Sequence, residues 1–261
     1  MLVALFTVVT VQAQKTPYDN NPAAGKYYSL RGIQLYVETY GSGKPLVLLH
    51  GNGGSIASMS SIIPFFAKNY QVVAVDSRAQ GKSTDKQDSL SFEMMSDDVY
   101  ALLGRMKIAK ADFIGWSDGG IVALIMGMRH PDKVKKIAAT GANIWPDSTA
   151  FPADVWLGDK RYHDSVQYLP RRTPEDKKAW KLFLLDWLQP NIRLDQLRKM
   201  AAPCLIICGD HDVIRLEHTA TIFRNIPNAQ LWVVPHSGHA TLIEHPKAFC
   251  EVVDGFLSGR Q

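Results

Sequence analysis

Two hydrophobic patterns alternate along this chain. Residues 45–49, 71–75, 111–115, 134–140, 204–209 and 230–234 are short, largely apolar runs. Such runs predict strands covered on both faces of a sheet. Residues 33–39 instead alternate apolar and polar positions, which predicts an antiparallel strand. Between the strands, apolar residues recur at helical spacing over 60–68, 92–106, 121–126, 217–225 and 248–257. Alternation of this kind predicts an α/β fold with a mostly parallel, doubly wound sheet. It starts after a polar, proline-containing leader over 15–26 and breaks once, over 143–202. That gap is too long for a structureless loop. Its residues 178–188 have helical spacing, so 143–202 is expected to form a small helical cap between two core parts, 27–142 and 203–261. Of its aromatics, Trp156, Trp180 and Trp187 are expected mostly to form the cap's own core, and Trp145 to face a pocket.

The chemistry concentrates where runs end. Gly115-Trp116-Ser117-Asp118-Gly119 joins an apolar strand to an apolar helix. Gly-x-Ser-x-Gly in that context is the nucleophile-elbow pattern, a turn that lifts one hydroxyl above the sheet. A serine needs a base and an orienting acid to attack near neutral pH. Strand 204–209 runs into Asp210-His211-Asp212. Asp212 is the preferred acid, Asp210 is expected to hold the turn, and Asp147 is a third choice. After the last strand, Pro235-His236-Ser237-Gly238-His239 offers His239 as the base, with His236 peripheral. The loop His50-Gly51-Asn52-Gly53-Gly54 follows strand 45–49. The N–H groups of Asn52 and Asp118 are the expected oxyanion donors. Trp116, Asp118 and Trp145 are the expected substrate contacts. The glycine loop lacks the Lys-Ser/Thr of a phosphate-binding loop.

Composition narrows the classes. Hydrophobic content of 46%, charged content of 21% and a net charge of +4 without a long basic stretch argue against nucleic-acid binding. The remaining histidines show no metal-ligand spacing, so neither metal nor cofactor is expected. Three cysteines do not form a disulfide framework; they are expected to be buried thiols. Residues 1–11 are apolar and uncharged, and small residues follow up to Ala13. Although no Lys or Arg precedes the apolar run, residues 1–13 are expected to be a signal peptide, giving a periplasmic or secreted protein without a stable membrane anchor.

Five segments, His50–Gly54, Asp76–Ser83 (with Ala79 after Arg78), Gly115–Gly120, Gly209–Asp212 and Gly238-His239, together resemble the α/β-hydrolase superfamily from about residue 33 onward. Ala79 departs from the glycine usual there. The resemblance implies an α/β-hydrolase fold and a serine hydrolase acting on small-molecule carboxylic esters. Gly115–Gly120 is similar to biphenyl-hydrolase-like esterases of the valacyclovir-activating kind. That likeness implies an amine anchor at Asp118, while the residues alone equally allow Asp118 to cap the following helix. An aminopeptidase or amidase of the proline-iminopeptidase type and a non-catalytic scaffold that binds a partner are the alternatives.

Overall fold

The computed structural model describes residues 18–260. The signal peptide expected over 1–13 lies outside the described residues. Among the described residues, eight strands form one sheet: β1 (Gly25–Leu30), β2 (Ile33–Tyr40), β3 (Lys44–Leu49), β4 (Tyr70–Val75), β5 (Ala111–Trp116), β6 (Val134–Thr140), β7 (Cys204–Gly209) and β8 (Ala229–Val234). Their order is β1-β2-β4-β3-β5-β6-β7-β8. The β1/β2 and β2/β4 pairings are antiparallel and all later ones parallel. β1 was not anticipated. Its residues are exposed or half-buried, so it carries little periodic signal.

Among the described residues, nine helices follow in chain order: α1 (Ile63–Phe66), α2 (Phe92–Arg105), α3 (Asp118–Arg129), α4 (Ala153–Val166), α5 (Pro174–Leu188), α6 (Leu194–Leu197), α7 (Leu216–Asn225), α8 (Thr241–Glu244) and α9 (Pro246–Ser258). The helix expected over 60–68 is instead a 3-10 turn, Ile56–Met59, followed by the single turn α1. Pro64 at the start of α1 has no N–H to extend the preceding turn. α2 matches its pattern. Ser91 caps it by accepting the Met94 N–H, and Phe92, Met95, Val99, Leu102 and Leu103 are buried along one stripe.

The period-2 alternation of β3 shows how both faces are covered. Val47 and Leu49 pack in one layer with residues of α2, α3 and α7, while Leu46 and Leu48 pack in the other with α1 and α9. Each fully buried aliphatic side chain contributes roughly 1.5–3 kcal/mol. The three cysteines are buried and unpaired. Among the described residues, no helix is long and apolar enough to cross a membrane.

Strand order positions the site. β3 lies between β4 and β5, so the connections leaving β3 and β5 diverge. Ligands of open α/β sheets bind at that switch point, beyond the carboxyl ends of the strands. The chain leaves the sheet between β6 and β7 to form α4, α5 and α6. α4 buries no residue, and α5 buries only Leu182 and Leu185.

Candidate active site

The turn from β5 into α3 holds Ser117 at φ 55° and ψ −119°. This region is costly for a residue with a Cβ, on the order of 1–3 kcal/mol. Neighbouring structure enforces it. The Ser117 N–H donates to Thr140 O at 2.8 Å. A Cβ on Gly115 would fall 2.1 Å from Gly119 O, and one on Gly119 would fall 2.1 Å from Leu49 O. Glycine at both positions is what lets β5, α3 and β3 close together around the serine. The result is a half-buried hydroxyl above the sheet.

The loops after β7 and β8 divide their candidates cleanly. The Asp212 carboxylate accepts from His239 Nδ1 at 2.6 Å and also from the Ile214 N–H at 3.0 Å; its side chain is wholly buried. That bond assigns the Nδ1–H tautomer and leaves Nε2 as the basic nitrogen. Asp210 instead accepts the N–H groups of His236 and Ser237, fastening the β7 loop to the β8 loop. Those bonds hold its carboxyl far below the usual range. Asp147 is spent on Thr149. His236 is exposed.

His239 is set against the elbow by two contacts. Trp116 Nε1 donates to His239 O at 2.8 Å, and a Cβ on Gly141 would fall 2.7 Å from His239 Cε1. Gly141 directly follows the carbonyl that receives the Ser117 N–H. Ser117 Oγ and His239 Nε2 are not hydrogen-bonded to each other or to another described residue. In empty sites such bonds are often long and tighten only around substrate.

The glycine loop after β3 is anchored by His50. Its Nδ1–H donates to Gly51 O at 2.7 Å and its Nε2 accepts the Ser77 N–H at 3.0 Å. Burial lowers its pKa to about 4, so it stays neutral and holds both bonds. Gly51 then lies against Ser117, where a Cβ would come within 3.1 Å of the serine Cβ. Among the described residues, the backbone N–H groups of Asn52 and Asp118 have no acceptor. Ala79 adopts φ 64°, the left-handed turn usually given to glycine.

A recess of about 420 Å³ opens beside this loop, lined by Asn52 and by residues of α4 and α5. Trp156, Phe183 and Trp187 line it, and Trp156 stacks near Trp187 at 6.1 Å. The aromatics of 143–202 do pack on one another, Trp180 against Phe183 at 5.4 Å and Phe183 against Trp187 at 6.2 Å. Because α4 buries no residue, Trp156, Phe183 and Trp187 also wall the cavity. Trp145 does not line the recess: its indole N–H donates to Ile192 O and its ring meets His218 edge-on. Trp116, Ser117, Asp118 and His239 do not line the recess either, and the Trp116 N–H serves His239.

Sequence reasoning missed Asp186 and Asp159, which α5 and α4 bring to the recess. Asp186 faces Asp118, which is buried at 2% exposure with Oδ2 lacking a partner. Desolvation, then the charge of Asp186, raises the Asp118 pKa well above the carboxylate range, so Asp118 keeps a proton that it donates to Asp186. Asp186 is exposed toward the recess, yet protein atoms on its inner side desolvate the carboxyl. That desolvation, opposed by the hydrogen bonds from Asp118 and Asn52, pushes it up to about 6. No side-chain cap is made at the start of α3. Only an acid on a helix stripe marks Asp186 in the sequence, a signal shared by many solvent-facing residues. Among the described residues, no cluster of three or more His, Cys, Asp or Glu could hold a metal ion.

Comparison with known proteins agrees with this architecture. The family model for the alpha/beta hydrolase fold matches residues 44–186. A 2-hydroxymuconate semialdehyde hydrolase of Pseudomonas sp. (strain CF600) is 26% identical, over 92% of this chain and 96% of that protein. Human serine hydrolase BPHL is 26% identical, over 88% of this chain and 84% of its own. A solved hydrolase from Pseudomonas aeruginosa PA01 superposes with a TM-score of 0.76 at 20% identity, covering 91% of this chain and 99% of that one.

Proposed function

Because the chain belongs to the α/β hydrolase fold family and is a hydrolase, we propose that it cleaves carboxylic esters of small molecules through an acyl-enzyme on Ser117. His239 Nε2 takes the serine proton as Oγ attacks the acyl carbon, and Asp212 orients the imidazole and stabilises its charge. The N–H groups of Asn52 and Asp118 receive the oxyanion. His239 then returns the proton to the departing alcohol, and water repeats the sequence to free the acid. The observation that carries the reading is the Asp212–His239 bond of 2.6 Å directly beside the strained Ser117 turn. Residues 143–202 act as a cap that shapes the substrate recess.

The recess also favours one kind of ester. Asp159 and Asp186 line it, and no cationic side chain does. A substrate bearing a carboxylate, such as the one after which the Pseudomonas relative is named, would meet like charge there. An ester carrying an ammonium group near its acyl carbon would be matched, with the Asp186 carboxylate as its anchor and Asp118 behind it.

Labelling with a fluorophosphonate probe tests the mechanism. Wild-type protein should be labelled and should turn over p-nitrophenyl esters, and Ser117→Ala should do neither. Labelling with turnover confined to aminoacyl amides would assign the peptidase alternative. Absence of labelling would leave a binding scaffold.

A further inference from the structure

α5 is the shared wall of two cavities. Residues Leu182, Phe183, Asp186 and Trp187 face the recess already described. On another side of the same helix, Lys177, Lys178, Trp180, Lys181 and Leu184 line a larger cavity of about 560 Å³, closed by the loop through Lys86 and by Arg171. None of these residues takes part in the proposed hydrolysis.

The charge balance in this second cavity is one-sided. Asp85 is buried and already neutralised: Arg78 Nη1 lies 3.1 Å away, and Lys181 donates to its other oxygen and to Gln87 O at 2.8 Å. Those bonds lower the Asp85 carboxyl pKa although burial alone would raise it. Lys86, Lys177 and Lys178 make no ion pair among the described residues. Arg171 lies over the Trp180 ring at 4.1 Å and donates only to the carbonyls of Val166 and Leu169, so no carboxylate opposes its charge. Asp88 is the one other acid in the lining; Glu175 and Asp176 of the first turn of α5 are outside it. Four uncompensated cations therefore surround a concavity with one free carboxylate.

An isolated exposed lysine is worth little in physiological salt, but converging charges above a low-dielectric wall focus a field. Pro174, Trp180 and Leu184 supply that wall. We propose that this cavity is a second binding site, for an organic phosphate, whose phosphate sits among Lys86, Lys177, Lys178 and Arg171 and whose body lies on Pro174 and Leu184. The phosphate belongs to a free metabolite or to a lipid headgroup, and the test separates the two.

The full chain would be titrated calorimetrically with inorganic pyrophosphate at about 150 mM salt. In parallel it would be sedimented with phosphatidylglycerol vesicles, using phosphatidylcholine vesicles as the control. Saturable one-to-one binding of pyrophosphate, weakened at least about tenfold in Lys177→Glu/Lys178→Glu and unchanged in Ser117→Ala, supports the site with a soluble ligand. Charge-dependent capture by phosphatidylglycerol alone, lost in the same double variant, supports it with a lipid headgroup. Both exchanged lysines are exposed, so ester turnover without phosphate should match wild type and report an intact fold. Binding of neither probe, or binding indifferent to the charge reversal, overturns the proposal.

Discussion

The floor and the roof of the recess are built by opposite means. The floor is the set of loops after β3, β5, β7 and β8, where backbone groups are crowded and pinned. Of these loops only the one after β3, through Asn52, lines the recess itself. Ser117 is held at positive φ by close approach to β3 and β6, and Asp210 fastens two loops by accepting the N–H groups of His236 and Ser237. The roof comes from α4 and α5, which bury two leucines between them and present rings and carboxyls to a cavity. A floor of this kind can hold reacting atoms to a fraction of an ångström, while the roof can vary its side chains with little consequence for folding. Chemistry is expected to depend on the first and selectivity on the second.

The largest expected effect falls on the floor. Ser117→Ala or His239→Ala should lower kcat for p-nitrophenyl esters by about 10⁴-fold or more with the melting temperature nearly unchanged. A loss below tenfold in either would dissolve the division, since the reaction would then not run through this pair. Next comes Gly141→Ala. Its backbone has φ 63°, and the new methyl would press on the His239 ring. Displacing the base by about an ångström should reduce kcat by roughly 10²-fold, with a stability loss of about 1–2 kcal/mol from the left-handed conformation, read by urea denaturation.

The roof should respond differently. Asp186→Asn is expected to lower kcat/KM for an aminoacyl ester by about ten- to a hundredfold while sparing the matched plain acyl ester. In wild type the preference for the aminoacyl ester should rise as pH passes about 6, where Asp186 ionises. Effects common to both substrates cancel in that ratio. The same group sets a stability trend. Its folded pKa is raised from 3.8 to about 6, so between those values the folded state binds more protons than the unfolded one. Stability contributed by protonated Asp186 is therefore complete below the unfolded value and declines as pH rises through about 6. The melting temperature of wild type should fall over that window relative to Asp186→Asn. A parallel course for the two proteins would remove the assignment.

The smallest effect belongs to the rings. Trp156→Ala or Trp187→Ala should change KM by about ten- to thirtyfold across an acyl-chain series, as expected for lost apolar contact of about 1–2 kcal/mol, and leave kcat within about threefold. A collapse of kcat instead would show that the roof also positions the reacting atoms.

Much of the floor was legible in the sequence because each of its parts is local. A strand ending in Gly-x-Ser-x-Gly predicts its own turn, whereas Asp210, expected to hold the turn after β7, instead accepts the N–H groups of His236 and Ser237 from the β8 loop. Apolar alternation placed the parallel strands, whereas β1, lying exposed at the sheet edge, gave no such signal. The roof was far less legible. Trp145 stood next to a strand end and so was expected to face the pocket, yet its N–H found the Ile192 carbonyl. Asp186 looked like one more charge on an amphipathic helix.

What the sequence determined by itself was the alternation of elements and the backbone of the turns, since both follow from the conformational preferences of neighbouring residues. Tertiary structure alone decided which cap side chains meet the core and one another: Asp118 against Asp186, Trp156 beside Trp187. Such meetings depend on the angle at which α4 and α5 cross the strand ends. That angle is set by packing summed over many distant residues, and no local pattern encodes it.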